Sequence, residues 1–167
     1  LAEAIVSYAE GHKATLDPST KFKAIAGHGV EGIINGKKVV FGNKRLMEKE
    51  KVNFSFARSH LAKLENEGKT VMLLAIDKKL VGLVAVADIV KETAKDGVAG
   101  LKKKGIEVVM ITGDNQRTAG AIATKLGIDR VLAEVMPDQK EKEIRKIQQE
   151  GKKVAMVGDG INDAPAL

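Results

Sequence analysis

The chain has no cysteine and no tryptophan, and only one tyrosine and three prolines among its 167 residues. Without cysteine there is no disulfide framework and no thiolate metal site, and a reducing, cytosolic setting is the natural default. Aromatic residues make up 3% of the sequence, and its lysines stand in runs of one to three without interleaved stacking aromatics. That leaves no stacking platform for bases, and nucleic-acid binding is set aside. No apolar run approaches the roughly 20 residues that cross a bilayer. There is no signal-peptide pattern, no internal repeat and no low-complexity tract. Hydrophobic residues at 44% and charged residues at 30% nevertheless fall into periodic segments, which excludes disorder and is enough for one ordinary core or two small ones.

The formal net charge of +6 is uneven. Residues 1–87 hold 14 Lys+Arg against 9 Asp+Glu, and residues 88–167 hold 14 against 13. A basic first half suits a polyanion, and with nucleic acid set aside a nucleotide polyphosphate or an anionic lipid is what remains.

Two grammars succeed one another along the chain. In the first, Ala4, Ile5, Tyr8 and Ala9 recur at helical spacing before Gly11. Strand-like runs follow at Phe22–Gly27, Val30–Ile34 and Lys38–Gly42, the last two joined by Asn35-Gly36, whose residues both tolerate positive φ in a tight hairpin. A helix is expected from Phe54 to Glu67, with Ala57, Leu61 and Leu64 on one face. A second hairpin joins "TVMLLAI" to "LVGLVAV" through Asp77-Lys78-Lys79. From Asp88 onward helices and apolar strands alternate: a helix with Ala94, Val98 and Leu101, a strand Val108–Thr112, a helix with Ala119, Ile122, Ala123 and Leu126, a strand Arg130–Glu134, a helix Glu141–Gln149 and a last strand Val154–Val157. Such alternation implies a parallel sheet covered by helices. The expected architecture is therefore an antiparallel α+β domain over 1–87 followed by a Rossmann-like α/β domain over 88–167, with no flexible linker between them.

Parallel sheets bind ligands at the carboxyl ends of their strands. Two strands here end alike, one in Thr112-Gly113-Asp114 and one in Gly158-Asp159-Gly160 with Asn162 and Asp163 close behind. Neighbouring parallel strands would carry Asp114, Asp159 and Asp163 to one rim. Carboxylates gathered there repel unless a cation holds them, and hard oxygen donors suit Mg²⁺ bridging to a phosphate. Lys140 of "MPDQK" stands near a helix start, where ammonium and free amides both favour an anion. Each feature also has an ordinary reading, as a capped turn for Thr112–Asp114, a solvated lysine for Lys140 and a hairpin for the glycines of the first half.

Taken together, "TGDN", the lysine of "MPDQK" and "VGDGINDAPAL" resemble, in order and approximate spacing, the haloacid-dehalogenase-like phosphorylation domain of P-type ATPases, and the final run is most similar to the heavy-metal group. "GHGVEG" and "GNKRLM" look like that group's nucleotide-binding loops, and "LAEAIV" resembles the segment after its His-Pro pair. The resemblance spans essentially the whole chain. It implies that Gly27, Gly29, Val30, Gly42 and Asn43 surround ATP, and that Thr112, Gly113 and Asp114 meet the transferred phosphoryl group, which Lys140 neutralises. It further implies that Asp159 and Asp163 hold Mg²⁺ with Asn162 in support. His28 is not carried over as a ligand or base, and His12 and His60 receive no role.

The sequence departs from the family pattern in lacking an Asp-Lys-Thr-Gly-Thr phosphorylation strand, the His-Pro pair with its preceding acidic residue, and membrane helices. The expectation is a monomeric fragment, the cytoplasmic portion of an integral membrane pump for heavy-metal cations. Copper or silver is the first choice of cargo, with zinc, cadmium and cobalt open. Such a fragment binds nucleotide weakly and does not phosphorylate itself. Two alternatives stand beside this: a soluble haloacid-dehalogenase-like phosphatase with residues 1–87 as its cap, and a non-catalytic nucleotide-binding module.

Overall fold

A computed structural model describes residues 2–87 and 90–158. The chain divides into two compact units, Leu1–Ile89 and Val90–Leu167.

The first unit is built on a five-stranded antiparallel sheet in sequence order. Its strands are β1 (Thr20–Ile25), β2 (Gly29–Ile34), β3 (Lys37–Gly42), β4 (Lys69–Ile76) and β5 (Lys79–Ala87). Asn35 (φ 51°) and Gly36 (φ 76°) make the tight turn between β2 and β3 that their side chains allow. Asp77 and Lys78 take the same left-handed geometry between β4 and β5, where the Asp77 carboxylate accepts a hydrogen bond from the Lys38 amide at 2.9 Å. Ahead of the sheet lies helix α1 (Ala2–Gly11), which buries no residue; Tyr8 stacks on His12 with ring centroids 4.2 Å apart.

Along β4 the period of two is plain: Val71, Leu73 and Ala75 are buried, while Thr70, Met72 and Leu74 on the opposite face are half-buried. The buried face packs against α2 (Lys44–Lys49) and α3 (Arg58–Asn66), giving a core of Val40, Leu46, Met47, Val52, Phe54, Ala57, Leu61, Val71, Leu73 and Ala75. Two local readings change here. The expected helix from Phe54 begins instead as a single 3₁₀ turn, Ser55–Ala57, because Asn53 Oδ1 accepts the Ser55 amide at 3.0 Å and bends the chain before the α-helix starts. Helix α2 was not expected from sequence. At six residues it shows too little periodicity, and it exists because Asn43 caps it and Leu46 and Met47 are wholly buried.

The second unit contains α4 (Glu92–Lys103), β6 (Val109–Ile111), α5 (Gln116–Leu126), β7 (Arg130–Leu132), a 3₁₀ turn (Pro137–Gln139) and α6 (Lys140–Gln149). Strands β6 and β7 pair in parallel, Val109 with Arg130 and Ile111 with Leu132. Together with the antiparallel sheet of the first unit, this is the mixed α/β class that the sequence pattern implies. Asn115 Oδ1 caps α5 by accepting the Arg117 and Thr118 amides, and Gly127 (φ 75°) ends it in the left-handed conformation. Arg130 and Glu150 form two hydrogen bonds, 2.8 and 2.9 Å, pinning the start of β7 to the end of α6. The guanidinium holds the Glu150 carboxyl below its ordinary range.

Two strand expectations are corrected in this unit. The run Arg130–Glu134 is a strand only to Leu132, since Glu134 adopts φ 58° and leaves extended geometry. The run Val154–Val157 forms no strand, and Val157 is 92% exposed. An apolar run becomes a strand only when its amides and carbonyls find a neighbouring ladder, and among the described residues β6 pairs with β7 alone.

Candidate functional site

Gly27, Gly29 and Gly42 converge at one end of the sheet. Gly29 opens β2 and Gly42 closes β3, and the two are paired across the strands. A Cβ on Gly29 (φ 147°) would stand 2.3 Å from the Phe41 carbonyl oxygen and 2.5 Å from Gly42 Cα; one on Gly42 would stand 2.3 Å from the His28 carbonyl oxygen. No side chain larger than hydrogen fits either position, and Leu46 Cδ2 closes the core side beneath both. The result is a backbone shelf at which the close approach of β2 to β3 itself demands glycine.

Asn43 ties that shelf together. Its amide N–H donates to the His28 carbonyl at 2.9 Å, its Nδ2 donates to the Gly27 carbonyl at 2.8 Å, and its Oδ1 accepts the Leu46 amide at 3.1 Å. The turn Gly27–Gly29 and the entry to α2 are therefore one hydrogen-bonded junction, with Gly27 in left-handed geometry (φ 68°) and the His28 Nδ1 2.8 Å from the Ala26 carbonyl. Val30 follows Gly29 in β2, opposite Phe41. Gly27, Gly29, Val30, Gly42 and Asn43, separated by up to 16 positions in sequence, thus meet at one place.

Sequence reasoning missed what lies under the junction. Lys44, the first residue of α2, places its Nζ 2.6 Å from Glu65 Oε1 on α3, and the Glu65 side chain is 1% exposed. At the far end of α2, Lys38 Nζ reaches Glu50 at 2.6 Å and Glu31 at 3.0 Å. The carboxylates push the Lys38 ammonium up, and Lys38 holds the Glu31 carboxyl down. A charged residue inside an apolar face was the available signal for Glu65, which falls one helical turn after the buried Leu61.

In the second unit, Thr112, Gly113 and Asp114 form the turn that leaves β6. Thr112 Oγ1 donates to Asp114 Oδ2 at 3.0 Å and accepts the Asp114 amide at 3.1 Å. The same turn is stitched to the strand end of β7: the Thr112 amide donates to the Leu132 carbonyl, the Val135 amide to the Thr112 carbonyl, and the Glu134 amide to the Asp114 carbonyl, at 2.8 to 3.0 Å. A Cβ on Gly113 would meet only the Val135 carbonyl, at 3.5 Å, so the outer side of the turn is open. From Val135 the chain runs through the 3₁₀ turn to Lys140, the first residue of α6. The expected Mg²⁺ ligands Asp159 and Asp163, and Asn162, lie outside the described residues. Their donor set of carboxylate and amide oxygens fits a hard divalent cation.

A family model described as haloacid dehalogenase-like hydrolase matches residues 1–167. The chain belongs to this family. Among curated proteins, it is 50% identical over its full length to the copper-exporting P-type ATPase of Staphylococcus aureus strain JH9, and 49% identical to that of the bovine strain RF122 / ET3-1. The chain spans 21% of the length of these relatives. Solved structures agree. The catalytic domain of the CPx-ATPase CopB-B, studied for conformational changes upon nucleotide binding, superposes with a TM-score of 0.68 at 26% identity, over 99% of this chain and 57% of that one. A zinc-transporting PIB-type ATPase in its E2.Pi state gives 0.57 at 33% identity, over 99% of this chain and 26% of that one. The resemblance to heavy-metal P-type ATPases carried by the "TGDN" and "VGDGIND" motifs is borne out by these relatives. No helix among the described residues is long and apolar enough to cross a membrane.

Proposed function

We propose that this chain is the ATP-binding and phosphoryl-transfer portion of a P-type ATPase that moves heavy-metal cations, copper or silver foremost, across a membrane. The carrying observation is the Gly29–Gly42 shelf: two opposed backbone positions at which any Cβ would collide, joined by Asn43 to the Gly27 turn. In this reading the adenine and ribose lie against the shelf, with Gly27, Gly29, Val30, Gly42 and Asn43 lining it. Residues 1–87 act as the nucleotide-binding domain and residues 88–167 as part of the phosphorylation domain. The first-half excess of basic residues favours the approach of the polyphosphate.

Phosphoryl transfer is largely positioning and charge compensation. Thr112, Gly113 and Asp114 offer a hydroxyl, a backbone amide in an open turn and a carboxylate fixed by that hydroxyl. Binding a phosphoryl oxygen there exchanges the Thr112–Asp114 hydrogen bond for one to the ligand. Lys140 supplies positive charge beside the first turn of α6. Asp159 and Asp163 would hold Mg²⁺ with Asn162 in support, and bound Mg²⁺ supplies charge neutralisation across the reacting oxygens. The aspartate that accepts the phosphoryl group belongs to a segment outside this sequence. The chain is then monomeric and cytoplasmic within a membrane protein, its partners being ATP and the transported cation. The soluble-phosphatase and binding-module alternatives are not favoured by relatives that are ATPases.

A chimera tests this. The matching 168 residues of the Staphylococcus aureus relative are replaced by this chain, and vesicles carrying the product are given terminally labelled ATP. An acid-stable, hydroxylamine-labile phosphoenzyme formed with Cu⁺ or Ag⁺ is the expected result. A folded chimera that forms none contradicts the phosphoryl-transfer reading.

A further inference from the structure

Among the described residues of the first unit, the Lys44–Glu65 pair brings a charge into the apolar core, with Glu65 1% exposed among Leu61 and its neighbours and Lys44 reaching it from the half-buried start of α2. Burying a carboxylate is costly, and a buried ion pair is a poor source of stability compared with apolar side chains of equal volume. Such a pair does fix geometry, since the buried carboxylate holds its cation in one place. Here that place is set by α3, and the ammonium belongs to the residue directly after Asn43.

Asn43 joins the two halves of the glycine junction through side-chain hydrogen bonds, by way of the Gly27 carbonyl and the Leu46 amide. Its three hydrogen bonds require α2 to begin at one rotation and one height relative to β3. The far end of α2 is held separately: Glu50, its C-terminal cap residue, is bonded to Lys38 on β3 at 2.6 Å. The two ends of one short helix are thus anchored by different ion pairs, one under the junction and one remote from it.

We infer that Glu65 is a positioning residue for the nucleotide junction, acting through Lys44 to hold Asn43 and the Gly42–Gly29 shelf in their binding arrangement. The inference rests on the nucleotide reading proposed above. Glu65 touches no ligand. Its carboxylate sets where Lys44 sits, Lys44 sets the start of α2, and Asn43 then closes onto Gly27. Residues that orient metal ligands carry about 10–100-fold in affinity, and the low end of that range is the size expected for Glu65 acting through Lys44.

The test uses the whole 167-residue chain with ATP as probe, reading Kd by calorimetry, Tm by circular dichroism and the amide shifts of Gly27, Gly29, Gly42 and Asn43. Glu65→Gln keeps the shape and removes the charge; Lys44→Met combined with Glu65→Met replaces the pair by apolar volume, so that a folded variant without the pair is at hand. Both are expected to weaken ATP binding about tenfold and to move the Asn43 and Gly27 shifts in the free protein. Lys44→Arg, which keeps a cation within reach, restores Kd to within about twofold of the unaltered chain. Lys38→Met, which frees the remote end of α2, lowers Tm with Kd unchanged. ATP binding by the unaltered chain at the junction, with Kd in the folded pair-less variant within twofold of it, overturns the positioning role alone. Absence of ATP binding by the unaltered chain overturns the nucleotide reading and this inference with it.

Discussion

Gly29 and Gly42 face each other across β2 and β3 so closely that a Cβ on the first would lie 2.5 Å from the Cα of the second. That contact is structural before it is functional. Adding a methyl group at either position forces backbone apart over the buried Leu46.

Gly29→Ala and Gly42→Ala are therefore expected to destabilise the first unit by about 2–3 kcal/mol each, from steric strain and, at Gly29, a disfavoured φ. Gly100→Ala gives the opposite sign. Gly100 lies inside α4 with nothing within 4 Å of its added Cβ, and alanine there gains about 0.5–1 kcal/mol in helix propensity. Chemical denaturation of the three variants decides both signs.

Much of this arrangement is legible in the sequence. Asn35-Gly36 specified its turn, and the helix–strand alternation from residue 88 onward specified the α/β class, whereas the continuous apolar run Val71–Ile76 does not say which face of β4 is buried. What escaped was set by tertiary contacts. Helix α2 depends on the cap at Asn43 and on burial of Leu46 and Met47, which six residues of pattern do not reveal. Val154–Val157 reads as a strand by composition yet lacks a ladder. The meeting of Gly27 with Asn43 was accessible only through family likeness, because a 16-residue separation carries no local signal.

Stability of the β2–β3–α2 region is expected to depend on pH through Lys38. Its pKa is raised by Glu50 and Glu31, so its contribution is complete below the ordinary lysine value and is lost as pH rises through the raised value. Glu31 is lowered, chiefly by its hydrogen bond to Lys38, so its contribution is present above the ordinary carboxylate value and is lost as pH falls through the lowered one. The Tm difference between the unaltered chain and Lys38→Met is then constant from about pH 6 to about pH 9 and shrinks toward both about pH 3 and about pH 12. A difference that does not vary with pH contradicts the electrostatic origin.

Thr118 is wholly buried and its Oγ1 accepts a hydrogen bond from Asn115 Nδ2 at 2.9 Å. Thr118→Val keeps the volume but removes that acceptor beneath the cap of α5. The expected cost is about 1–2 kcal/mol. Because Asn115 adjoins Asp114, backbone amide shifts at Thr112–Asp114 move with it, and shifts confined to α5 contradict the link between cap and turn.

Asp159→Asn in the chimera removes the carboxylate assigned to Mg²⁺. Mg²⁺-dependent phosphoenzyme is expected to be lost while ATP affinity of the first unit stays within about twofold of its original value, since binding and transfer rest on different residues. Phosphoenzyme at normal levels contradicts the role assigned to Asp159.

The claim that bears most weight is that the backbone shelf between Gly27 and Asn43 receives an adenine nucleotide. Titrating ATP into the isotope-labelled chain and following every assigned amide tests it directly. Saturable shifts are expected, largest at Gly27, Gly29, Val30, Gly42 and Asn43. Saturable shifts centred elsewhere, or a spectrum unmoved at millimolar ATP, contradict it.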